Sequence, residues 1–304
     1  MDHAVTPIRL NAPPRQFPLQ GLWRRFATNK LAIASLIGLI ALIMIAVFGP
    51  ILYSQSAITS DYSAINALPS AKHLLGADNL GRDTLARVIL GLRVSLLVAA
   101  YVEAINIALG ATLGLLAGYY GGLLDTLVSR LADMLFAFPG LLLAILIAAT
   151  FGPQVTQEFG GIGRLLLVAG SLSLVSWPLM ARFVRSQTLV LRESDYTLAA
   201  RSLGANNRRI ILRHILPNVA GLIIVSSTLD IASVVVNEAV LSLLGLGIQP
   251  PEPSIGKMIT DAIPYLEVNA IQVLVPSVAL MLIVLIVSFL GDGLRDALDP
   301  RSLP

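Results

Sequence analysis

Residues 31–53 read LAIASLIGLIALIMIAVFGPILY and contain no charged side chain. A helix advances about 1.5 Å per residue, so roughly 20 apolar residues cross the ~30 Å hydrocarbon layer of a bilayer. The stretch is longer than the apolar core of a signal peptide, which has about 7–15 residues, and no small-residue cleavage site follows it. We therefore predict that it is a retained first membrane span.

The composition of the whole chain also favours lipid as the solvent. Hydrophobic residues make up 56% of the 304 and charged residues only 13%, whereas a soluble domain carries about 25% charged residues. The sequence predicts an all-α integral membrane protein with six transmembrane helices. The five further spans cover residues 94–118, 134–152, 165–181, 215–237 and 268–290. The apolar run 239–248 is too short to cross and is predicted to be a re-entrant or surface segment.

The basic residues indicate which side of the membrane each loop occupies. The tail 1–30 and the loop 182–214 are rich in arginine, whereas the loop 238–267 has Lys257 alone against four acidic residues. Because arginine and lysine accumulate in cytoplasmic loops, both arginine-rich segments and both termini are predicted to be cytoplasmic. The chain then divides into a cytoplasmic tail (1–30), a first span (31–53), an extracytoplasmic loop (54–93), a core transmembrane domain (94–291) with the loop 182–214, and a cytoplasmic tail (292–304).

The loop between the fourth and fifth spans is predicted to form a helix–turn–helix. Ser194 or Asp195 can cap a first helix of about two turns over residues 197–203. Gly204 then permits the left-handed backbone conformation that ends a helix. A second, basic helix is predicted from about Asn206 to Pro217, which suits the first turn of the next span. Small side chains around the turn would let another protein approach the backbone closely; they belong to Ala199, Ala200 and Gly204.

This loop resembles the cytoplasmic loop of ABC importer permeases, which has the pattern E-A-A-x-x-x-G-x(9)-I-x-L-P. Two positions depart from the pattern, because Leu198 replaces the glutamate and His214 replaces the isoleucine. The departure at Leu198 puts a charge contact there in doubt, but not the helix–turn–helix. The resemblance implies a loop that couples the permease to an ATPase, through Leu198, Ala199, Ala200, Gly204, Ala205, Leu216 and Pro217.

Four other segments resemble the C-type permease subunits of dipeptide, oligopeptide and nickel importers. They are residues 73–83 (HLLGADNLGRD), 117–122 (AGYYGG), 244–251 (LGLGIQPP) and 291–301 (GDGLRDALDPR). The resemblance implies a type I ABC importer of the bacterial inner membrane, in which this chain forms half of the pore. The implied partners are a second permease subunit, two ATPase subunits that bind ATP and magnesium, and an extracytoplasmic solute-binding protein. No nucleic acid is implied.

The cargo implied by this resemblance is a dipeptide or an oligopeptide. Relatives with the same architecture import nickel complexes, glutathione or opine-like solutes, and the sequence does not choose among them. A proton-coupled secondary transporter is an alternative from another class, with Glu103 and Asp230 as the proton relay. Such transporters often contain inverted repeats, which this sequence does not show.

The sequence predicts neither catalytic residues nor a cofactor or metal site in this chain. It has no G-x-x-x-x-G-K-[ST] phosphate-binding loop, and the nearest fragment is Gly256-Lys257-Met258, which lacks the first glycine and the hydroxyl residue. There is no cysteine, and the three histidines are far apart in sequence. ATP hydrolysis is therefore expected from partner subunits.

Three acidic residues are candidates for the translocation path. Glu103 and Asp230 lie within predicted spans, where an acid is costly unless it faces a cavity or a polar partner. They either line the pore and bind a peptide ammonium, or hold helices together beside residues such as Asn106, Ser226 or Ser227; packing is the preferred interpretation. Glu238 is either a rim group of the path or a solvated helix end.

A charged cluster before the second span is a candidate contact for the solute-binding protein. It consists of Asp78, Arg82 and Asp83. In the alternative interpretation, which is slightly favoured, Asp78 caps a surface helix that leads into the span, while Arg82 and Asp83 make local pairs.

Overall fold

The computed structural model describes residues 19–298, with side chains from Trp23 onward. The tail segments 1–18 and 299–304, and with them His3, lie outside the described residues. The described part is helical and contains no strand. Its α-helices are α1 (Leu19–Thr28), α2 (Lys30–Leu52), α3 (Thr84–Ile105), α4 (Thr112–Tyr120), α5 (Gly122–Phe136), α6 (Gly140–Arg192), α7 (Asp195–Ser202), α8 (Asn207–Ile210), α9 (Leu216–Leu243), α10 (Ile255–Ala262) and α11 (Ile271–Leu298). Short π-helical turns at Asn106–Ala111 and Ile211–Ile215 join α3 to α4 and α8 to α9.

Five continuous helical runs are long and apolar enough to cross a membrane: Lys30–Leu52, Thr84–Tyr120, Gly140–Arg192, Asn207–Leu243 and Ile271–Leu298. The third of these, α6, reverses direction at Gly160, where φ is +61°. Arg164 Nη1 donates a hydrogen bond to the carbonyl oxygen of Ala148 at 3.3 Å, although these residues would be about 24 Å apart in a straight helix. The helix α6 is thus a hairpin of two arms, 140–159 and 161–192, and the predicted number of six crossings is confirmed.

The six crossings place the connecting segments at two opposite ends of the bundle. At one end, which we call the Gly204 end, Tyr119 OH donates to Asn207 Oδ1 at 2.9 Å and Gly293 packs against Ala32. The opposite end carries the turn of the α6 hairpin and is called the Gly160 end. The start of α2 and the end of α11 therefore lie at the same end as Gly204.

Several predicted boundaries differ from the observed helices. The second crossing starts at Thr84 rather than residue 94, and α6 continues to Arg192, well into the predicted loop 182–214. The last helix continues to Leu298, past residue 291. Residues 134–136 belong to α5, and the third crossing begins only at Gly140, after Pro139. Hydropathy locates the apolar centre of a span, whereas the hydrogen-bonded helix extends beyond it on charged residues.

The prediction of a separate re-entrant segment at 239–248 is wrong. Residues 239–243 continue α9, and the chain turns afterwards at Gly245, where φ is +74°. The prediction failed because Asn237 and Glu238 interrupt the apolar pattern but not the helix. Glu238 Oε1 accepts a hydrogen bond from Ser242 Oγ, one turn later, at 2.8 Å.

A stripe of glycines brings the second crossing close to the second arm of α6. A Cβ atom on Gly114 would lie only 2.4 Å from the carbonyl oxygen of Ala181. Gly110 and Gly118, four residues before and after, approach other carbonyl oxygens of the same arm, at 2.6 and 2.8 Å from an added Cβ. Close packing through small residues is typical of membrane helices. The tight turn that follows has positive φ at Gly121 and Gly122.

Candidate functional site

The segment from α7 to α8 forms the predicted helix–turn–helix, and we call residues 194–210 the Gly204 loop. The helix α7 ends at Ser202, and Gly204 adopts a φ of +82°. Asn206 caps α8, because its Oδ1 accepts a hydrogen bond from the backbone N–H of Arg209 at 2.9 Å. The N–H of Ala205 donates to the carbonyl oxygen of Ala200 at 3.0 Å. These hydrogen bonds fix the angle between the two short helices.

The outer surface of the Gly204 loop is uncovered within the described chain. Leu203 is 89% exposed and Leu198 is 41% exposed. Ala199 and Gly204 are exposed beside them, and a Cβ added to Gly204 would have no neighbour within 4 Å. The turn thus exposes apolar side chains beside the exposed arginines Arg201, Arg208 and Arg209, and exposed apolar groups with a polar surround are typical of surfaces that bind another protein.

The inner side of the Gly204 loop is anchored to the membrane helices. Thr197 is buried and donates through Oγ1 to the carbonyl oxygen of Leu191 at 2.8 Å. Ser194 occupies the capping position, yet its hydroxyl also donates to Leu191 rather than accepting an N–H of α7. Ile210 and Ile211 are buried in a cluster with residues of α4, α6 and α9. A force on the loop would therefore be transmitted to three membrane helices.

The sequence predicted a separate second helix in the loop, and this prediction is wrong. It continues from Asn207 through the π-helical turn into α9 and forms one run to Leu243. Leu216 and Pro217 lie at the start of α9. Since Pro217 lacks an N–H, the wider π-helical turn just before it accommodates the missing hydrogen bond. Leu216 and Pro217 thus lie on the helical run that crosses the membrane, whereas Leu198 to Ala205 precede it.

One contact that the sequence did not indicate holds the Gly204 loop against α4, and a second holds the end of α6 against it. Tyr119 OH donates to Asn207 Oδ1 at 2.9 Å, and Arg192 Nη1 donates to the carbonyl oxygen of Tyr119 at 3.2 Å. The sequence shows only that Tyr119, Arg192 and Asn207 are polar residues close to the ends of predicted spans. Nothing in a linear pattern indicates that these ends meet.

The two intramembrane acids are brought together by one amide side chain. Asn106 Nδ2 donates to Glu103 Oε1 at 3.1 Å and to Asp230 Oδ2 at 3.0 Å. Asn106 Oδ1 accepts from Ser176 Oγ at 2.8 Å. Glu103 is 5% exposed, so it does not line a surface in this conformation. Asp230 is half-buried and lines a cleft of about 200 Å³ between the second arm of α6 and α9.

Glu238 is neither a rim group nor a solvated helix end in this structure. It lies inside α9, five residues before the helix ends, and is 1% exposed. Ser242 Oγ donates to it at 2.8 Å and Ser95 Oγ at 3.4 Å. Its carboxyl group therefore joins α9 to α3. The sequence around Glu238 does not indicate that Ser95 is its partner.

The charged cluster before α3 makes mainly internal contacts; the predicted local pair of Arg82 is present, but the predicted helix cap is wrong. Asp83, not Asp78, caps the helix, because Asp83 Oδ1 accepts from the N–H of Ala86 at 2.8 Å. Arg82 and Asp83 are buried, at 7% and 2% exposure, which leaves little of them for a binding protein to contact. Asp78 is half-buried and holds the Arg82 guanidinium at 2.8 Å.

Asp83 also collects hydrogen bonds from two distant residues. Its Oδ2 accepts from Tyr53 OH at 3.0 Å and lies 2.9 Å from His73 Nδ1. On the solvent side of this network, the Lys72 ammonium beside Asp61 holds the pKa of the Asp61 carboxyl well below its usual range. The network ties the end of α2 and the following loop to the first turn of α3.

Replacing Asp83 with alanine should lower the stability of the protein markedly. The change removes a helix cap and leaves buried polar partners without an acceptor, so we expect a loss of about 2 kcal/mol or more. The measurement is the apparent Tm of the purified protein in detergent. Asp133→Ala is the control, because its pair with Arg182 is exposed on both sides and should be worth less than about 1 kcal/mol. Equal shifts for both variants would contradict the assigned role of Asp83.

Comparison with known proteins gives two family matches. Residues 110–303 match the family described as binding-protein-dependent transport system inner membrane component. Residues 18–69 match the N-terminal TM domain of oligopeptide transport permease C. The first match covers more than half of the chain and includes the whole Gly204 loop.

Similar relatives extend over nearly the full length. The dipeptide transport system permease protein DppC of Alkalihalophilus pseudofirmus is 40% identical over 308 residues, which cover 99% of this chain and 98% of the relative. The glutathione transport system permease protein GsiD of Pectobacterium atrosepticum is 40% identical over 93% of this chain and 91% of its own length. GsiD of Escherichia coli is 40% identical over 98% of this chain and 93% of its own length. With the six crossings and the exposed loop, these matches show that the chain belongs to the family of binding-protein-dependent transport system inner membrane components and has the fold of an ABC importer permease.

Proposed function

We propose that this chain is one of two permease subunits of an ATP-driven importer and forms half of the translocation pore. The observation that carries the proposal is the Gly204 loop, an uncovered surface whose buried side is joined to three membrane helices. A loop that only connected two spans would need neither feature. ATP binding and hydrolysis on a partner would press on this loop and alternate the opening of the pore.

The proposed partners are a second permease subunit, two ATPase subunits that bind ATP and magnesium, and an extracytoplasmic solute-binding protein. This chain would bring no cofactor and no ATPase site of its own. The Gly204 end and both termini are placed in the bacterial cytoplasm. The exposed arginines at this end support that orientation; they are Arg201, Arg208, Arg209 and Arg213.

The proposed docking surface on the ATPase is a groove that accepts the turn of the Gly204 loop. Leu198, Ala199, Ala200, Gly204 and Ala205 would enter it. Leu198 offers an apolar contact where the pattern of the family has a glutamate, so the partner groove should be apolar at that point. Leu216 and Pro217 would transmit the movement along α9 rather than touch the ATPase.

We propose dipeptides and oligopeptides as the cargo, in line with the relative named for dipeptide transport. Glutathione, for which other relatives are named, is the first alternative cargo. Nickel complexes and opine-like solutes are further alternatives within the same architecture.

The test of the proposed function is purification of the tagged chain in mild detergent from its native membrane. Co-purification of a second permease and two ATPases, followed by ATP-dependent peptide uptake in proteoliposomes that contain the binding protein, is the expected result. Purification of the chain alone from membranes that contain these subunits would contradict the proposal.

Asp230 is proposed to line the translocation path, with Glu103 buried behind it. Asp230→Asn should slow the import of a dipeptide with a free ammonium about fivefold, since a charge pair in a partly solvated cleft contributes up to ~1 kcal/mol. Import of the N-acetylated dipeptide should change less than about twofold. Glu103→Gln is the matched control and should not discriminate between the two cargoes. Equal effects of Asp230→Asn on both cargoes would restrict Asp230 to helix packing.

A proton-coupled secondary transporter is the second candidate, favoured by the meeting of Glu103 and Asp230 at Asn106. Two adjacent carboxyl groups can share and release a proton. The two candidates differ in their energy source. Uptake that persists without any ATPase subunit and stops when the proton gradient collapses would favour the second candidate.

A further inference from the structure

Arg164 is buried at the Gly160 end without an acidic partner among the described residues. It is 4% exposed and lies four residues after the turn of the α6 hairpin. Glu252 reaches the same arm at Gly161, but it forms no ion pair with Arg164. A buried charge is strongly unfavourable unless it is paired or well hydrogen-bonded. The reason for its position must therefore lie in what surrounds the guanidinium.

Three backbone carbonyl groups hold the guanidinium in place. Nε donates to Gly247 at 3.0 Å, Nη1 donates to Ala148 at 3.3 Å, and Nη2 donates to Leu246. Because a guanidinium has five N–H donors, two of them have no partner in the described part of the chain. The carbonyl groups fix the orientation of the charge, but being neutral they do not compensate it.

The absence of a side chain at Gly152 leaves space for the guanidinium, and a cavity lies beside it. A Cβ atom on Gly152 would lie 1.6 Å from Arg164 Nη1, so a larger residue at that position would displace the guanidinium. An open cavity of about 480 Å³ borders the guanidinium, a size within the range of small-molecule sites, ~300–1,000 Å³. Thr156, Gln157 and Gln249 provide polar groups in its lining, and none of the described lining residues is acidic.

We propose that Arg164 binds the carboxylate of the cargo as the cargo enters the permease from the Gly160 end. The inference rests on the proposed function and names the chemical group that is recognised. The planar guanidinium matches a carboxylate with two parallel hydrogen bonds. Unmodified peptides and glutathione all carry a free carboxylate, so the site serves either class of cargo. A small solute reaches a side chain that is nine-tenths buried more readily than an acidic side chain of a folded partner does.

The test combines one substitution with one chemical change in the cargo. Wild-type and Arg164→Gln permeases are reconstituted with the ATPases and with saturating binding protein, and import of a dipeptide is compared with import of its C-terminal amide. We expect Arg164→Gln to slow the free acid about tenfold, the size of a lost charge-assisted hydrogen-bonded pair. The amide should change less than about twofold. Any preference of the binding protein cancels, because it is the same with both permeases.

Two outcomes would overturn the proposal. Equal loss for both cargoes would mean that Arg164 only positions the carbonyl groups of residues 246 and 247. A loss of import that depends on the concentration of binding protein, but not on the cargo, would mean that Arg164 pairs with an acidic side chain of the binding protein. Arg164→Lys keeps a cation and should retain part of the preference for the free acid, even if the glutamine variant assembles poorly.

A binding measurement separates this proposal from the proposed function. Equilibrium dialysis of the purified complex with labelled dipeptide and dipeptide amide needs no transport. A wild-type preference for the free acid that disappears in the Arg164 variants supports the site, and equal affinities in the wild type contradict it. Wild-type complexes that show this preference but no ATP-driven uptake would contradict only the proposed function.

Discussion

Replacing Gly204 with valine should reduce ATP-driven uptake at least about 30-fold. Gly204 has a φ of +82°, a conformation that costs a β-branched residue on the order of 1–3 kcal/mol. The new side chain would also project from the surface that we propose enters the partner groove, because no described atom lies within 4 Å of a Cβ added to Gly204. Both effects act on the proposed junction between the permease and an ATPase subunit. The measurement is uptake in proteoliposomes together with ATPase activity.

Two further variants separate backbone strain from loss of docking. Asparagine tolerates the left-handed conformation, so Gly204→Asn should keep the shape of the loop but still hinder docking through its added bulk. Gly122→Val is the strain control, since Gly122 has a φ of +60° and open space around an added Cβ, at the same end of the bundle. Normal coupling in Gly204→Val, or an equal loss in Gly122→Val, would contradict the role of the Gly204 loop.

Replacing Gly114 with leucine should destabilise the membrane domain by about 3 kcal/mol, at the upper end of what overpacking costs. An added Cβ would lie 2.4 Å from the carbonyl oxygen of Ala181 and 3.0 Å from its Cα atom. Backbone atoms cannot turn aside as a flexible side chain can, so the two helices must separate. Separation would also lengthen the close approaches at Gly110 and Gly118. The measurement is the apparent Tm and the yield of monodisperse protein in detergent.

Gly170→Leu is the matched control for this substitution. Gly170 lies within the second arm of α6, in a helical conformation, and an added Cβ would have no neighbour within 4 Å. The same gain in side-chain volume and helix propensity should therefore leave the Tm of the isolated chain nearly unchanged. Similar losses of Tm in both variants would show that close packing at Gly114 does not determine stability.

The Gly204 loop shows which features of the structure a local sequence pattern can predict. Gly204 is followed by Asn206, and this order predicts the end of one helix and the cap of the next, because backbone conformation and capping depend on neighbours in the chain. Both features are present. The same pattern did not show that α8 continues into α9. Pro217 suggested the first turn of a new helix, but the π-helical turn before it lets one continuous helix accommodate the proline.

The acids show where a linear pattern fails. Glu103 and Asp230 were recognised as costly residues, with Asn106 named as a possible neighbour, and Glu238 was interpreted as a rim group or a helix end. The sequence did not show which contacts these acids make between helices. Asn106 joins the first two, and Ser95 reaches Glu238 across 143 positions of sequence. Which helices become neighbours is decided by packing, and a sequence window contains no information about it. The cap of α3 was assigned to Asp78 instead of Asp83, because both acids precede the span and a linear pattern does not show at which of them the helix begins.

The sequence alone determined that this protein lies in a lipid bilayer, how many times it crosses the bilayer and where the chain turns at Gly204. Each depends on the free energy of transfer of consecutive residues into lipid or on the conformational freedom of a single glycine. Only the tertiary structure decided that Glu238 is enclosed, that Asp230 opens onto a cleft and that Arg164 lies beside a cavity without an acidic partner among the described residues. These properties depend on the distance between groups that are far apart along the chain, and that distance is set by how the helices pack.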